Sequence, residues 1–252
     1  MKPYLLPLAL FSLAAQSQAS GIISVSSGID YSSGKYGDSQ RTETLYVPLG
    51  LKYENADWTL RAVIPYIHSR GPASSIGRGA DRVTLNNGSN AMKTAAGLGD
   101  IVLSASWTAL QEEHWLVDVG GKVKLATARE EDGLGTGKND YALQTEVYRT
   151  LGKHTLFGTV GYKKMGNPDG VSLKDPIYGS LGWSLRTSAQ TSLGLSYDYR
   201  QKIQDKGAPI RESTVFINHR LDDHWKIQSY LVCGYSTASP DVGGGVFLHH
   251  TF

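Results

Sequence analysis

This 252-residue chain has one cysteine, Cys233, which excludes an intramolecular disulfide and any multi-cysteine metal site. It also lacks a dominant charge: 25 Lys and Arg stand against 23 Asp and Glu, for a formal net charge of +2. Such a balance leaves no electrostatic footprint for nucleic acid, so none is expected as a partner. Beyond the first 19 residues no apolar run reaches 18 residues, which excludes helical membrane spans. Neither a G-x-S-x-G elbow nor an H-E-x-x-H pair occurs. Gly133-Leu134-Gly135-Thr136-Gly137-Lys138-Asn139 falls short of a phosphate-binding loop, because Asp132 stands where Gly is needed and Asn139 where Ser or Thr is needed. No catalytic residue, metal ligand or cofactor is therefore expected. What the chain does have is 29 Gly and 14 Tyr, a composition that suits strands joined by tight turns rather than a helical bundle.

Residues 1–19 read as a cleaved signal peptide: a basic start at Lys2, an apolar core from Leu5 to Ala15, and small residues before a cut after Ala19. Residues 20–252 are then one exported domain.

Within that domain the governing signal is alternation. Trp58, Leu60, Ala62, Ile64 and Tyr66 alternate with Thr59, Arg61, Val63 and Pro65, and the same pattern returns at 101–107 and 193–199. Period-two alternation builds a two-faced strand and would scatter these side chains around a helix. Five short turns (54–57, 110–114, 151–154, 187–190 and 221–224) alternate with six longer loops (about 32–40, 68–98, 127–138, 165–174, 203–208 and 237–241). These connections predict twelve strands near 22–31, 42–53, 58–67, 99–109, 115–126, 140–150, 155–164, 175–186, 191–202, 210–220, 225–236 and 242–252. The predicted fold is all-β, a twelve-stranded antiparallel transmembrane β-barrel of the outer-membrane type, with short turns on the periplasmic side.

Aromatic residues sort to the ends of these strands. Trp58, Trp115 and Trp225 open strands just after short turns, and Trp107 and Trp183 close strands just before them, forming an expected periplasmic girdle. Tyr31, Tyr66, Tyr141, Tyr162, Tyr178, Tyr199 and Tyr235 fall toward the long-loop ends. Phe252 ends the final amphipathic strand, as in the signal recognised by the outer-membrane assembly machinery. The expected setting is the bacterial outer membrane, with membrane lipids and that machinery as partners and a monomeric barrel.

If the apolar face meets lipid, the polar face lines the lumen. The expected basic lining is Lys52, Arg61, Lys122, Lys124, Lys163, Arg186, Arg200, Arg220 and Lys226. Its acidic counterpart is Asp30, Asp100, Asp118, Glu146, Asp198 and Glu212. Two readings stay open: ladders that fill the barrel, or a lining that selects a small polar or anionic solute. The 68–98 loop is a candidate plug or lid. A plugged barrel acting through its outer loops is the alternative to a channel. A membrane-embedded lipid hydrolase using His219 is a third, disfavoured because Ser213, on the same parity, lies six residues away, about 20 Å along a strand.

Four segments together carry a family likeness: Ala62-Val63-Ile64-Pro65-Tyr66, Gly97-Leu98-Gly99-Asp100-Ile101, Gly133 to Tyr141, and Gly158-Thr159-Val160-Gly161-Tyr162. In order and spacing they resemble the bacterial outer-membrane family named for the meta-pathway of phenol degradation, across nearly the whole mature chain. Leu125-Ala126-Thr127-Ala128 departs from a Leu-Pro-Thr-Gly-like stretch usual there. The resemblance implies an outer-membrane barrel, no catalytic residues, and transport of small solutes, aromatic compounds among them.

Overall fold

The computed structural model describes residues 21–72, 75–76, 83–84 and 91–252, and the expected leader at 1–19 lies outside them. The strands are β1 (Ile22–Gly34), β2 (Thr42–Glu54), β3 (Trp58–Pro72), β4 (Ser75–Ile76), β5 (Val83–Thr84), β6 (Met92–Leu98), β7 (Ile101–Gln111) and β8 (Trp115–Leu125). They continue with β9 (Asp140–Leu151), β10 (His154–Lys164), β11 (Ile177–Arg186), β12 (Thr191–Arg200), β13 (Ile210–Arg220), β14 (Trp225–Gly234) and β15 (Val242–Thr251). A single 3-10 turn, Glu130–Asp132, interrupts this pattern among the described residues.

Each wall strand pairs antiparallel with its neighbours, and β1 pairs with β15, so the sheet closes on itself. Trp58–Val63 of β3 pair with β7, while Tyr66–Pro72 pair with β6. The two segments thus form one wall strand broken at Gly99-Asp100, which makes a closed twelve-stranded antiparallel barrel. The break is bridged, because the Gly99 amide donates to the Pro65 carbonyl at 2.8 Å. The sequence places the end of this hairpin too early. β3 runs on to Pro72 and β6 begins at Met92, because Arg70, Gly71 and Pro72 find partners in Thr94, Lys93 and Met92. The expected 68–98 loop therefore contracts to the connection between 72 and 92, of which only β4, β5 and residue 91 are described.

Alternation decides which side faces out. Leu143 and Leu181 are 71% and 73% exposed, while Gln144 beside the first and Ser184 further along the second strand are buried. A surface so apolar is stable only against hydrocarbon, where a closed ring of strands leaves no backbone group unpaired. Strands of 10 to 15 residues along the full wall match the 9–11 that a tilted membrane crossing needs.

The short turns are built by side chains that stand in for backbone acceptors. Asn55 Oδ1 accepts from the amides of Asp57 (3.0 Å) and Trp58 (2.8 Å). Ser188 Oγ does the same for Gln190 and Thr191, and Asp222 Oδ1 for His224 and Trp225. In the tightest turn Gly152 takes φ +63°, a conformation that favours glycine. Those two amide bonds hold the Asp222 carboxyl below its ordinary value. Its stabilising contribution is thus present above the unfolded value near 4 and is lost as pH falls through the lower folded value.

Leu181→Arg places a cation on the lipid face mid-strand. It is expected to cost about 2–4 kcal/mol of folding free energy in lipid vesicles, read by denaturant titration of the reconstituted protein.

Candidate functional site

Strand parity puts the in-strand charged residues of the expected lining on the face that alternates with the exposed apolar rows, and Asp100 lies at the break between β6 and β7. One inward row runs Lys52, Arg61, Ser104, Lys122, Ala142 and Lys163 across β2, β3, β7, β8, β9 and β10. A second runs Asp118, Glu146, Thr159, Ser180, Asp198 and Glu212 from β8 to β13. Arg186, Arg220 and Lys226 lie near the short-turn end, the first two exposed at its mouth. Arg200 and Glu212 are buried toward the long-loop end, and they and Lys122 and Asp198 all have partners.

The charges gather in two groups. At the long-loop end Lys124 Nζ lies 3.2 Å from both Asp100 and Asp140, and Lys163 Nζ lies 3.0 Å from Asp140. Two lysines between two carboxylates form a satisfied cluster in a nearly dry place, as buried charge requires. At the short-turn end Lys52 meets Glu54 at 2.5 Å, and Arg61 and Lys226 lie nearby. On the wall across from them Asp118 accepts the Thr108 hydroxyl at 2.9 Å, and Glu146 accepts the Tyr148 hydroxyl at 2.7 Å and the Gln144 amide. Asp30, further out, accepts from the Tyr230 hydroxyl.

The inner face also carries a feature the polar-face rule misses. Tyr148, Phe157, Phe216, Tyr230 and Val232 form a buried apolar cluster inside the barrel, with Leu116 and Phe247 packed against it. The inward parity is therefore not uniformly polar. Three of the rings have a seat on the adjacent strand. Phe157 faces Gly182 in register, and a Cβ there would lie 2.1 Å from its Cζ. Phe216 faces Gly194 (2.3 Å) and Phe247 faces Gly28 (2.8 Å) in the same manner. Tyr178, expected at the outer belt, instead turns inward over Gly161 and donates to Gln144 Oε1 at 2.9 Å. Its neighbours Tyr141 and Tyr162 do face outward, 55% and 47% exposed. The rings thus lie along the wall over glycines rather than across the bore, and many in-strand glycines serve as seats. The readable signal was a glycine at inward parity beside a strand bearing an inward aromatic.

Loops narrow the long-loop end. The connection between β8 and β9 folds inward, and Leu134 (4% exposed) packs against Tyr46, Ile67, Ala95 and Ala128. Asp100 holds this loop: its Oδ1 accepts the Ala128 amide at 3.0 Å, and a Cβ at Gly135 would lie 2.8 Å from that oxygen. Lys124 also donates to Thr136 at 3.0 Å. The segments Gly97 to Ile101 and Gly133 to Tyr141, distant in sequence, therefore form one unit. Val83, from β5, is fully buried with Met165, Leu173 and Ile203. Ile203 belongs to the connection between β12 and β13, halfway round the barrel from that between β3 and β6, so at Val83 the expected plug segment does reach across the mouth. A lipid-side groove of about 580 Å³, bordered by Leu103, Ala105, Gly121, Tyr141 and Leu143, lies outside the wall.

The five tryptophans lie at the short-turn end. Trp58 faces Trp107 in register, Arg149 stacks over Trp115 at 4.9 Å, and Trp183 Nε1 donates to His154 Nδ1 at 3.1 Å. Trp225 meets His250, which meets Phe252, both at 4.5 Å between centroids. The Phe252 amide donates to the Ile23 carbonyl at 3.0 Å, so the last residue is tied into the seam. His219 lies on the outward parity with Thr191 Oγ1 at 2.9 Å, and Ser213 faces Tyr197 and Cys233.

No family model and no curated protein matches the chain. Solved structures do. A crystallised outer membrane channel from Pseudomonas putida F1 superposes with a TM-score of 0.70 at 15% identity, over 94% of this chain and 97% of that one. The KdgM porin (TM-score 0.54, 9% identity, 91% and 99% covered) and the NanC porin (0.55, 7%, 90% and 98%) share the architecture. At these identities the likeness is one of fold, that of outer-membrane barrels.

Lys124→Met leaves the Asp100 carboxylate buried without its cation. The variant is expected to lose about 3–5 kcal/mol and to expose residues 126–139 to protease, both measured on the reconstituted barrel. At the rim, Asp175 is held below its ordinary value by Lys164 and the Met165 amide. This hold is present above the unfolded value near 4 and is lost as pH falls through the lower folded value. Faster proteolysis of the 165–176 loop below pH 3 checks it.

Proposed function

We propose that this protein is a monomeric channel of the bacterial outer membrane that passes a small solute through a charged and aromatic lumen. The observation that carries the reading is the division of the closed wall: an apolar exterior, and an interior that carries both charged groups and rings, of which Phe157, Phe216 and Phe247 lie over glycines. An interior designed only to be filled has no need to press its rings against the wall. The P. putida structure and the two porins, with the same architecture, support a channel rather than an enzyme, and His219, bonded to the Thr191 hydroxyl, has no carboxylate hydrogen-bonded to it among the described residues. The family resemblance in the segments joined by Asp100 adds aromatic compounds to the candidate solutes. Export by residues 1–19 and assembly through Phe252 belong to the same proposal.

The burial of Leu134 and Val83 favours a second state of the channel, closed at its outer mouth. The solute then passes when the inward loops give way.

Purified protein in planar bilayers is expected to conduct in small steps. Replacing residues 130–136 with a Gly-Ser link is expected to raise single-channel conductance several-fold, since the loop no longer occupies the mouth. Electrical silence of this variant, and of one also shortened between 73 and 91, would leave the plugged structural barrel as the correct reading.

A further inference from the structure

The short-turn end of the lumen carries an arc of cationic and donor groups in which Arg61, Lys226 and His249 have no direct ion pair among the described residues, although Asp118 lies near enough to Arg61, and Glu54 to Lys226, to act electrostatically. Arg61 on β3 faces Lys52 on β2, Lys52 faces Ser24 on β1, and β1 in turn faces β15, where His249 lies opposite Ser26. His249 faces Lys226 on β14. Five consecutive strands thus turn these groups into one region of the lumen, each within about three residues of its strand's short-turn end. Lys52 is matched by Glu54. Arg61, Lys226 and His249 make no ion pair or hydrogen bond among the described residues, and the buried Arg61 Nε and His249 Nε2 have no hydrogen-bond partner. His249 is only 6% exposed. Lys52 and Arg61 lie close enough to act electrostatically on both Lys226 and His249.

The lysines at the long-loop end differ. Lys124 and Lys163 are held between carboxylates. On the far wall Asp118 and Glu146 face each other and already accept hydrogen bonds. Buried donors with no acceptor, and cations repelling one another, are costly unless a ligand supplies what is missing. What is missing is an anion with acceptor oxygens. Arginine and lysine together fit a carboxylate.

The neighbouring groups say what the anion is attached to. On β15 the inward residue after His249 is Phe247, and on β14 Tyr230 follows Lys226 and Gln228. Two residues along a strand are about 7 Å, the length of one ring. A carboxylate at Lys226 and His249 thus lays its body on Phe247, which is stacked 6.0 Å from Tyr230. We infer that the periplasmic half of the lumen is a binding site for a small monoanionic aryl carboxylate, its carboxylate held by Arg61, Lys226 and His249 and its ring by Phe247 and Tyr230. The inference rests on the channel reading of the lumen and adds the acid group.

The test uses the intact refolded barrel with three probes: sodium benzoate, sodium acetate and benzyl alcohol. By calorimetry, benzoate is expected to bind more tightly than either of the others. Arg61→Gln and Lys226→Gln should each weaken benzoate at least tenfold with little change for benzyl alcohol, and Lys226→Arg should retain it. Folding is checked by heat-modifiable migration, and Lys226→Met serves if a Gln variant fails to fold. Absence of benzoate binding, or equal affinity in wild type and folded variants, overturns the site. Bilayer conductance separates the two claims. A conducting pore without variant-sensitive benzoate binding loses the site and keeps the channel. A silent barrel whose benzoate binding depends on Arg61 and Lys226 keeps the site and loses the channel.

Discussion

A strand in hydrocarbon has no water to satisfy its edges, and every other feature of this protein follows from meeting that demand by closure. The pairing of β1 with β15 removes the last free edge, and it reaches the chain terminus, where the Phe252 amide bonds to Ile23. Closure also explains where irregularity is tolerated. The wall strand made of β6 and β7 breaks at Gly99-Asp100, near the long-loop end, where Gly99 still donates to Pro65 and Asp100 is free to hold a loop. A break at mid-membrane would leave amides facing lipid.

Closure then creates an interior that must be furnished. Twelve strands enclose more space than an eight-stranded barrel can fill with its own side chains. Here charge and rings share it. Charge at the outer end is neutralised locally, lysine between carboxylates, and serves to fasten the 126–139 loop. Phe157, Phe216 and Phe247 rest on glycines of the adjacent strand, which lets a large side chain lie beside the backbone instead of projecting across the bore. Charge at the inner end is mixed: Lys52 meets Glu54, and Arg61 and Lys226 lie nearby without a direct ion pair among the described residues.

Much of this was legible in the residues. The alternation at Trp58 to Tyr66 identified both faces of β3, and the tryptophans beside the short turns identified one end of the barrel. Parity alone assigned Lys52, Arg61 and Lys226 to the interior. Other features were hidden for definite reasons. Phe157 and Phe216 look like interruptions of a polar row until register shows Gly182 and Gly194 beside them, and register is a property of two strands, not one. The length of β3 was underestimated because Gly71 and Pro72 read as turn residues, whereas pairing with Lys93 and Met92 extends the strand past them. Tyr178 was assigned to the outer belt by position, but its face is set by its opposition to Gly161.

The sequence by itself determined the class of structure: a period of two, turns of two lengths and the absence of any long apolar run leave few alternatives to a membrane barrel, because alternation is a local property that each strand carries alone. Tertiary structure decided what the lumen can do. Asp100 meets Gly135, Val83 meets Ile203, and Lys226 joins Arg61 across five strands only once the cylinder has closed. Contacts between residues on different strands and loops depend on shear and register, which no single strand encodes.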